Sequence, residues 1–225
     1  MPPLLFRDDR FVVLNKPAGL PVHPGPRGRP SVEDWFALLS RRRQGPWLAH
    51  RLDAETAGCL LVALRRAALI AAQREFATGR VRKTYWAVVR GAPPNRQGTV
   101  DAPLLRRSTR RAWRMVVDPG GKPAVTDWRL LGSDGTLSWL ELSPRTGRTH
   151  QVRVHCASMG CPVLGDPIYG GGAGPLHLLA RAIALDLDPP VAATAPVPGH
   201  MAAVLERAFR SRLIDRRGSI DRLPP

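Results

Sequence analysis

The chain has 225 residues, 44% of them hydrophobic and 23% charged, enough apolar content for a sizeable core and too much for a disordered basic tail. Its formal net charge is +16, and because only Lys16, Lys83 and Lys122 are lysines, that charge is almost wholly guanidinium, the group that binds phosphate bidentately and stacks on bases. A polyanionic partner, with nucleic acid first among them, is therefore expected.

Taken in chain order, Arg10–Asn15 is rich in β-formers and stops at Lys16-Pro17-Ala18-Gly19, a strand running into a turn. Pro21 to Pro30 is a loop, and Ser31 caps a short helix through Leu39 whose first turn carries Glu33 and Asp34. A basic loop, Arg41-Arg42-Arg43, leads to His50-Arg51-Leu52-Asp53-Ala54-Glu55-Thr56-Ala57-Gly58. Gly58–Leu64 then reads as a buried strand, and Leu69, Ala72 and Phe76 mark a helix that ends at Gly79. In the strand from Lys83 to Gly91, alternation sends Tyr85 and Trp86 to opposite faces.

Residues 92 to 123 are rich in Pro, Gly and Arg and read as a surface excursion with strand-like fragments and a basic cluster, Arg106-Arg107-Ser108-Thr109-Arg110-Arg111. Strands at Ala124–Leu131 and Leu137–Leu142 flank the turn Gly132-Ser133-Asp134-Gly135. Thr149 is expected to cap a helix whose stripe is Val152, Cys156 and Met159, with His150 and Arg153 sharing a face near its start. After a turn-rich loop, Gly165–Gly170, comes the apolar segment Leu176–Leu185, and a basic amphipathic helix runs from Pro198 to about Arg212. The economical fold is α+β, one domain over 1–225 with mostly antiparallel strands and a few helices.

Cys59, Cys156 and Cys161 include no Cys-x-x-Cys pair, which suits a reducing compartment and argues against both a disulfide framework and a zinc site. The amino terminus has no signal-peptide pattern and no apolar run reaches membrane-spanning length, so a cytoplasmic protein with no membrane partner is expected. His150 and His155, five apart, fall on different faces of a helix or a strand and form no metal pair. No metal and no cofactor are expected.

Chemistry centres on Asp53, a lone carboxylate beside Arg51, because a negative group on a surface built for polyanions needs a role. By its residues alone it is more readily a loop carboxylate neutralised by Arg51, since structural ion pairs outnumber catalytic ones. Tyr85, likewise, is more readily a half-buried strand tyrosine, the commoner fate of an aromatic in a strand, and His50 and His177 read as structural hydrogen-bonders. Two enzymatic alternatives fare worse. A zinc nucleobase deaminase lacks its His-x-Glu and Pro-Cys-x-x-Cys signature, and a glycosidase using Asp53 and Glu55 needs both carboxylates to face one sugar. An RNA-binding or RNA-remodelling protein without catalysis is the remaining rival.

Four segments carry a resemblance: Val13-Leu14-Asn15-Lys16-Pro17-Ala18-Gly19-Leu20, His50 to Gly58, Lys83-Thr84-Tyr85-Trp86-Ala87, and Gly147-Arg148-Thr149-His150-Gln151-Val152-Arg153-Val154-His155. In order and interval they resemble the RluA-like family of RNA pseudouridine synthases, and the likeness continues through Gly165–Gly170, Leu176-His177 and Ala195–Pro198, spanning about 11–200. The resemblance implies a mixed, mainly antiparallel sheet with flanking helices and a central RNA-binding cleft. It also implies conversion of uridine to pseudouridine in transfer or ribosomal RNA without cofactor or metal.

Asp53 would be the catalytic carboxylate, Arg153 its partner, Tyr85 the ring stacked on the uracil, and Arg51 the group that fills the space left by the flipped base. His50, Lys83 and Arg148 from the same motifs, with Arg41, Arg42, Arg43, Arg106, Arg107, Arg110 and Arg111, make up the expected RNA-contacting set. Ala57 stands where the family more often has serine. The family's small RNA-binding domain is not seen ahead of the first motif, so a monomeric catalytic domain followed by a basic tail over 198–225 is the expected organisation.

Overall fold

The computed structural model describes residues 1–25, 28, 30–40, 44–109 and 112–213. In chain order its elements are β1 (Leu4–Arg7), β2 (Phe11–Lys16), a 3-10 turn (Val32–Trp35) running into α1 (Phe36–Leu39), β3 (Trp47–Leu48), β4 (Ala57–Ala63), α2 (Arg66–Ala77), β5 (Arg82–Arg90), β6 (Gln97–Asp101), β7 (Leu104–Ser108), β8 (Trp113–Val117), β9 (Val125–Ser133), β10 (Leu137–Pro144), α3 (Gln151–Ser158), β11 (Leu178–Leu185), β12 (Val191–Thr194) and α4 (Gly199–Leu213). They fall into two compact units, Met1–Thr84 with Leu179–Pro196, and Tyr85–Leu178 with Val197 onward. The expected α+β class, with mainly antiparallel strands and few helices, is what the chain adopts.

In the first unit β4 is the central strand because Ala57-Gly58-Cys59-Leu60-Leu61-Val62-Ala63 can be buried on both faces, and every residue of it is. It pairs antiparallel with β2 along its whole length and with β3 at Val62 and Ala63, and parallel with β11 at Ala57 and Gly58. The parallel pairing requires glycine: Gly58 sits at φ +112°, and a Cβ there would lie 2.2 Å from the Ala180 carbonyl oxygen. β1 extends the sheet beyond β2, and β12 pairs antiparallel with β11. The sequence reading passed over β1 and β12, both short. Ser31 starts the 3-10 turn as expected, with the Asp34 carboxylate reaching back 2.9 Å to its N–H. In α2 the buried positions are Ala68, Ala72 and Glu75, so the inward stripe lies one residue ahead of Leu69 and Phe76.

In the second unit β5, β10, β9 and β6 form an antiparallel sheet in that order, with the hairpin β7–β8 separate from it. Tyr85 and Trp86 do point to opposite faces. Tyr85 packs with Leu142, Val152, Cys156 and Val163 on the α3 side, whereas Trp86 meets Trp139 edge-on at 4.8 Å, and Trp139 in turn stacks on Phe209 of α4 at 6.4 Å. Met201, Leu205 and Phe209 are the buried stripe of α4, the basic amphipathic helix expected near the C-terminus.

α3 departs from expectation. Thr149 is not its cap: the chain turns at His150, the only non-glycine residue with positive φ (+54°) among the described residues, and the helix begins at Gln151. The first turn is completed by the Gln151 side chain, whose Oε1 accepts from the Thr146 hydroxyl (2.7 Å) and the Arg148 N–H (2.9 Å). Gln151 through Cys156 are all buried. Val152 and Cys156 face the sheet, while Val154 joins Leu104, Met115 and Ala124 on the hairpin side. A helix covered on both sides shows little amphipathic signal.

Candidate active site

In the first unit Asp53 stands on the turn that feeds β4, where the Thr56 N–H donates to its carbonyl at 3.1 Å. Lys16, at the end of β2, fixes this turn from beneath. Its fully buried ammonium donates to the carbonyls of Pro17 (2.9 Å), Leu20 (2.8 Å) and Ala54 (2.7 Å), and the Gly19 N–H adds a bond to Ala54 at 2.9 Å. All three ammonium protons are thereby used. Burial lowers the Lys16 ammonium to about 8 from an ordinary 10.5, with Glu55 and Asp53 acting in the opposite direction. Two segments far apart in sequence are thus tied into one support for the carboxylate.

His50 serves the same support. Its Nε2 accepts from the Leu61 N–H at 3.0 Å, taking over where β3 ends, and its ring lies against Phe76 at 5.2 Å. Desolvation first, and the nearby Lys83 charge second, push the imidazole down to about 4, so the ring is neutral at neutral pH. This is the structural hydrogen-bonder read from the sequence, and it commits to protein the ring that was also grouped with the RNA-contacting residues. Arg51 beside it is exposed. Lys83, on the same strand face as Tyr85, has its ammonium lowered to about 8 by burial.

In the second unit the Arg153 guanidinium is 3% exposed and forms a two-bond pair with the fully buried Asp166, Nε to Oδ2 at 2.7 Å and Nη2 to Oδ1 at 2.8 Å. Asp166 Oδ1 also accepts from the N–H groups of Ile168 (2.9 Å) and Tyr169 (3.1 Å). Burial acts most strongly on this carboxyl and raises it, but the Arg153 and backbone hydrogen bonds together outweigh it and hold the group below the ordinary range. The Tyr169 ring lies 5.3 Å from the guanidinium carbon, and its hydroxyl accepts from the Met115 N–H (3.0 Å) and meets His150 Nδ1 (2.9 Å).

The sequence reading quoted Gly165–Gly170 as a motif but gave Asp166 and Tyr169 no role. Their signal was an Asp-Pro turn three residues before a tyrosine; nothing in spacing tells that its carboxylate reaches Arg153.

His155, buried in α3, uses both ring nitrogens inside the protein, Nδ1 with the Thr126 hydroxyl (2.8 Å) and Nε2 with the Ala102 carbonyl (3.1 Å). Among the described residues no cluster of His, Cys, Asp and Glu is arranged to hold a metal ion. The three cysteines are buried and unpaired. No described helix is long and apolar enough to cross a membrane.

Arg148 is exposed, with Nε donating to the Pro123 carbonyl at 2.9 Å. Arg106 lies over the Trp113 ring at 4.7 Å, and Arg107 pairs with Asp118 at 2.6 Å. Arg41, Arg42, Arg43, Arg110 and Arg111 lie outside the described residues.

Residues 10–158 match the model of the family described as RNA pseudouridylate synthase. An uncharacterized RNA pseudouridine synthase of Zymomonas mobilis is 39% identical over 204 residues, covering 87% of this chain and 93% of the relative. A protein of the same organism named ribosomal large subunit pseudouridine synthase D is 38% identical over 190 residues, 80% of this chain but 60% of that relative. Among solved structures, human RNA pseudouridylate synthase domain containing 4 superposes with a TM-score of 0.77 at 29% identity, over 91% of this chain and 92% of that one. The chain belongs to the RNA pseudouridylate synthase family and is an isomerase acting on RNA.

Proposed function

We propose that this chain carries out its family's isomerisation with Asp53 as the reacting carboxylate and Arg153, Tyr85 and Arg51 in supporting roles. The supporting observation is the support beneath Asp53. A fully buried lysine bonded to the carbonyls of Pro17, Leu20 and Ala54 holds one partly exposed turn in place, far more reinforcement than a solvated carboxylate needs. In the reaction the N1–C1′ bond breaks, the uracil turns, and C5 bonds to C1′; the C5 proton leaves to solvent and N1 takes up a proton in its place, so no atoms are gained or lost overall. Both routes open to a carboxylate, addition to C1′ and removal of the 2′ proton, need one carboxylate oxygen held at the sugar.

In this reading Arg153 orients Asp53 while Asp166 holds the Nε–Nη2 edge of Arg153. Tyr85 stacks on the uracil, and Arg51, exposed beside Asp53, fills the space of the extruded base. His50 keeps its structural place; Lys83 and Arg148, with Arg106 and Arg107, supply phosphate contacts. The name of the Zymomonas mobilis relative favours large-subunit ribosomal RNA as the target, with transfer RNA second. A cytoplasmic location is part of the same reading, and three free cysteines fit such a reducing compartment. The test is release of tritium from unmodified ribosomal and transfer RNA transcripts labelled at C5 of uridine. Release with pseudouridine at discrete positions is the expected result, and no release from either RNA by folded protein refutes the assignment.

A further inference from the structure

The outward face of the β7–β8 hairpin carries a feature that the reaction does not use. Arg107 and Arg114 stand directly opposite each other across the two strands, and like charges in a cross-strand pair repel. Asp118 relieves Arg107, at 2.6 Å, but among the described residues Arg114 has no ion-pair partner and is exposed. The same face opens into a groove of about 660 Å³ lined by these two arginines with Thr109, Trp113, Val116 and Ile168. That volume is within the roughly 300–1,000 Å³ of small-molecule sites.

Its apolar wall is unusually exposed: Trp113 is 39% and Ile168 40% accessible. The rest of the hairpin is fastened from behind. Met115 is buried with Leu104 and Val154, and the Trp113 ring already carries His150 at 5.1 Å and the Arg106 guanidinium at 4.7 Å, so it offers its edge to the groove and is set before any ligand arrives.

We infer that this groove binds one unstacked nucleotide of the substrate RNA, its phosphate between Arg107 and Arg114 and its base against Val116, Ile168 and the edge of Trp113. Paired guanidiniums without enough counter-charge call for an anion, and an apolar wall beside them calls for a flat apolar group covalently joined to it; a nucleotide supplies both. The groove uses none of the residues assigned to the reaction at Asp53, and it reads a flanking or looped-out nucleotide rather than the reacting uridine. The inference rests on RNA being the substrate, and not on the role given to Asp53.

The experiment is equilibrium binding of unmodified ribosomal RNA transcript across a salt series, comparing wild type with Arg114→Gln, Trp113→Ala and Ile168→Ser. Arg114→Gln is expected to flatten the dependence of log K on log salt by about 0.7–0.9, the share of one phosphate contact. Trp113→Ala is expected to weaken binding a few-fold with the slope unchanged, as for loss of an apolar edge contact. Ile168→Ser, which leaves the Ile168 backbone bond to Asp166 in place, is expected to weaken it a few-fold in the same way and guards against a folding defect in Trp113→Ala. Wild-type affinity and slope in all three variants overturns the inference. So does unchanged RNA binding with lost binding of polyglutamate, which reassigns the face to acidic peptides. The readout is binding and not turnover, so its failure leaves the assignment of Asp53 standing, and the reverse also holds.

Discussion

Replacing Asp166 by Asn tests whether the buried pair is what sets Arg153. The substitution keeps the shape and the Oδ1 acceptor that serves the N–H groups of Ile168 and Tyr169. It removes the charge and aims an amide donor at Arg153 Nε, where Oδ2 now accepts at 2.7 Å. With side chains 3% and 0% exposed, water has little access to compensate. Removing one partner of a buried pair is worth about 3–5 kcal/mol, and the retained oxygen places this variant at the low end, about 3 kcal/mol. At a urea slope of about 2 kcal/mol per molar, that moves the unfolding midpoint down by roughly 1.5 M.

Arg153→Met alone and combined with Asp166→Asn completes a cycle. The double variant is expected to be less destabilised than the two singles together by roughly 1–3 kcal/mol. If Arg153 orients Asp53 as proposed, Asp166→Asn is expected in the tritium assay to lower kcat more than KM, because the misaligned guanidinium would affect the carboxylate and not RNA affinity. A midpoint shift below about 0.3 M with no coupling and unchanged kcat refutes the positioning role.

Gly58→Ala is expected to cost about 3 kcal/mol or more in chemical denaturation, since a Cβ would meet the Ala180 carbonyl at 2.2 Å at φ +112°; a loss below about 1 kcal/mol would mean that β4 and β11 do not hold this register. Lys16 has a folded value of about 8 against 10.5 unfolded, so between those pH values the unfolded chain binds more protons and stability rises with pH. Measured as wild type minus Lys16→Met, the rise is expected to reach about 3 kcal/mol at about 1.4 kcal/mol per pH unit, and a flat difference contradicts the burial. His50, lowered to about 4, contributes stability that is lost as pH falls from 6.5 toward that value; NMR titration of the imidazole near 6.5 would show that it is not buried as described.

Much of the frame was legible because local patterning decided it. The apolar run of β4, the alternation of β5 that separates Tyr85 from Trp86, and the Met201–Leu205–Phe209 stripe of α4 all carry their own signal. The start of α3 was not legible, because left-handed backbone at His150 is a choice that tertiary packing imposes on a residue with little preference for it. Nor was α3's burial on two sides, since its second covering, the hairpin β7–β8, lies in a stretch whose Pro, Gly and Arg content reads as loop. For the candidate site, Asp53 was singled out by its odd charge in a basic chain. Lys16 and Asp166 were not given their roles, because each acts through a partner 38 or 13 residues away that no periodicity connects.

The proposed role of Asp53 is tested by tritium release by Asp53→Asn beside wild type, with RNA affinity measured on the same preparations. Asp53→Asn is expected to bind RNA within about two-fold of wild type, a difference of roughly 0.4 kcal/mol, and to release no tritium above background. Release at the wild-type rate by Asp53→Asn would contradict that role and move the reacting group elsewhere in the chain.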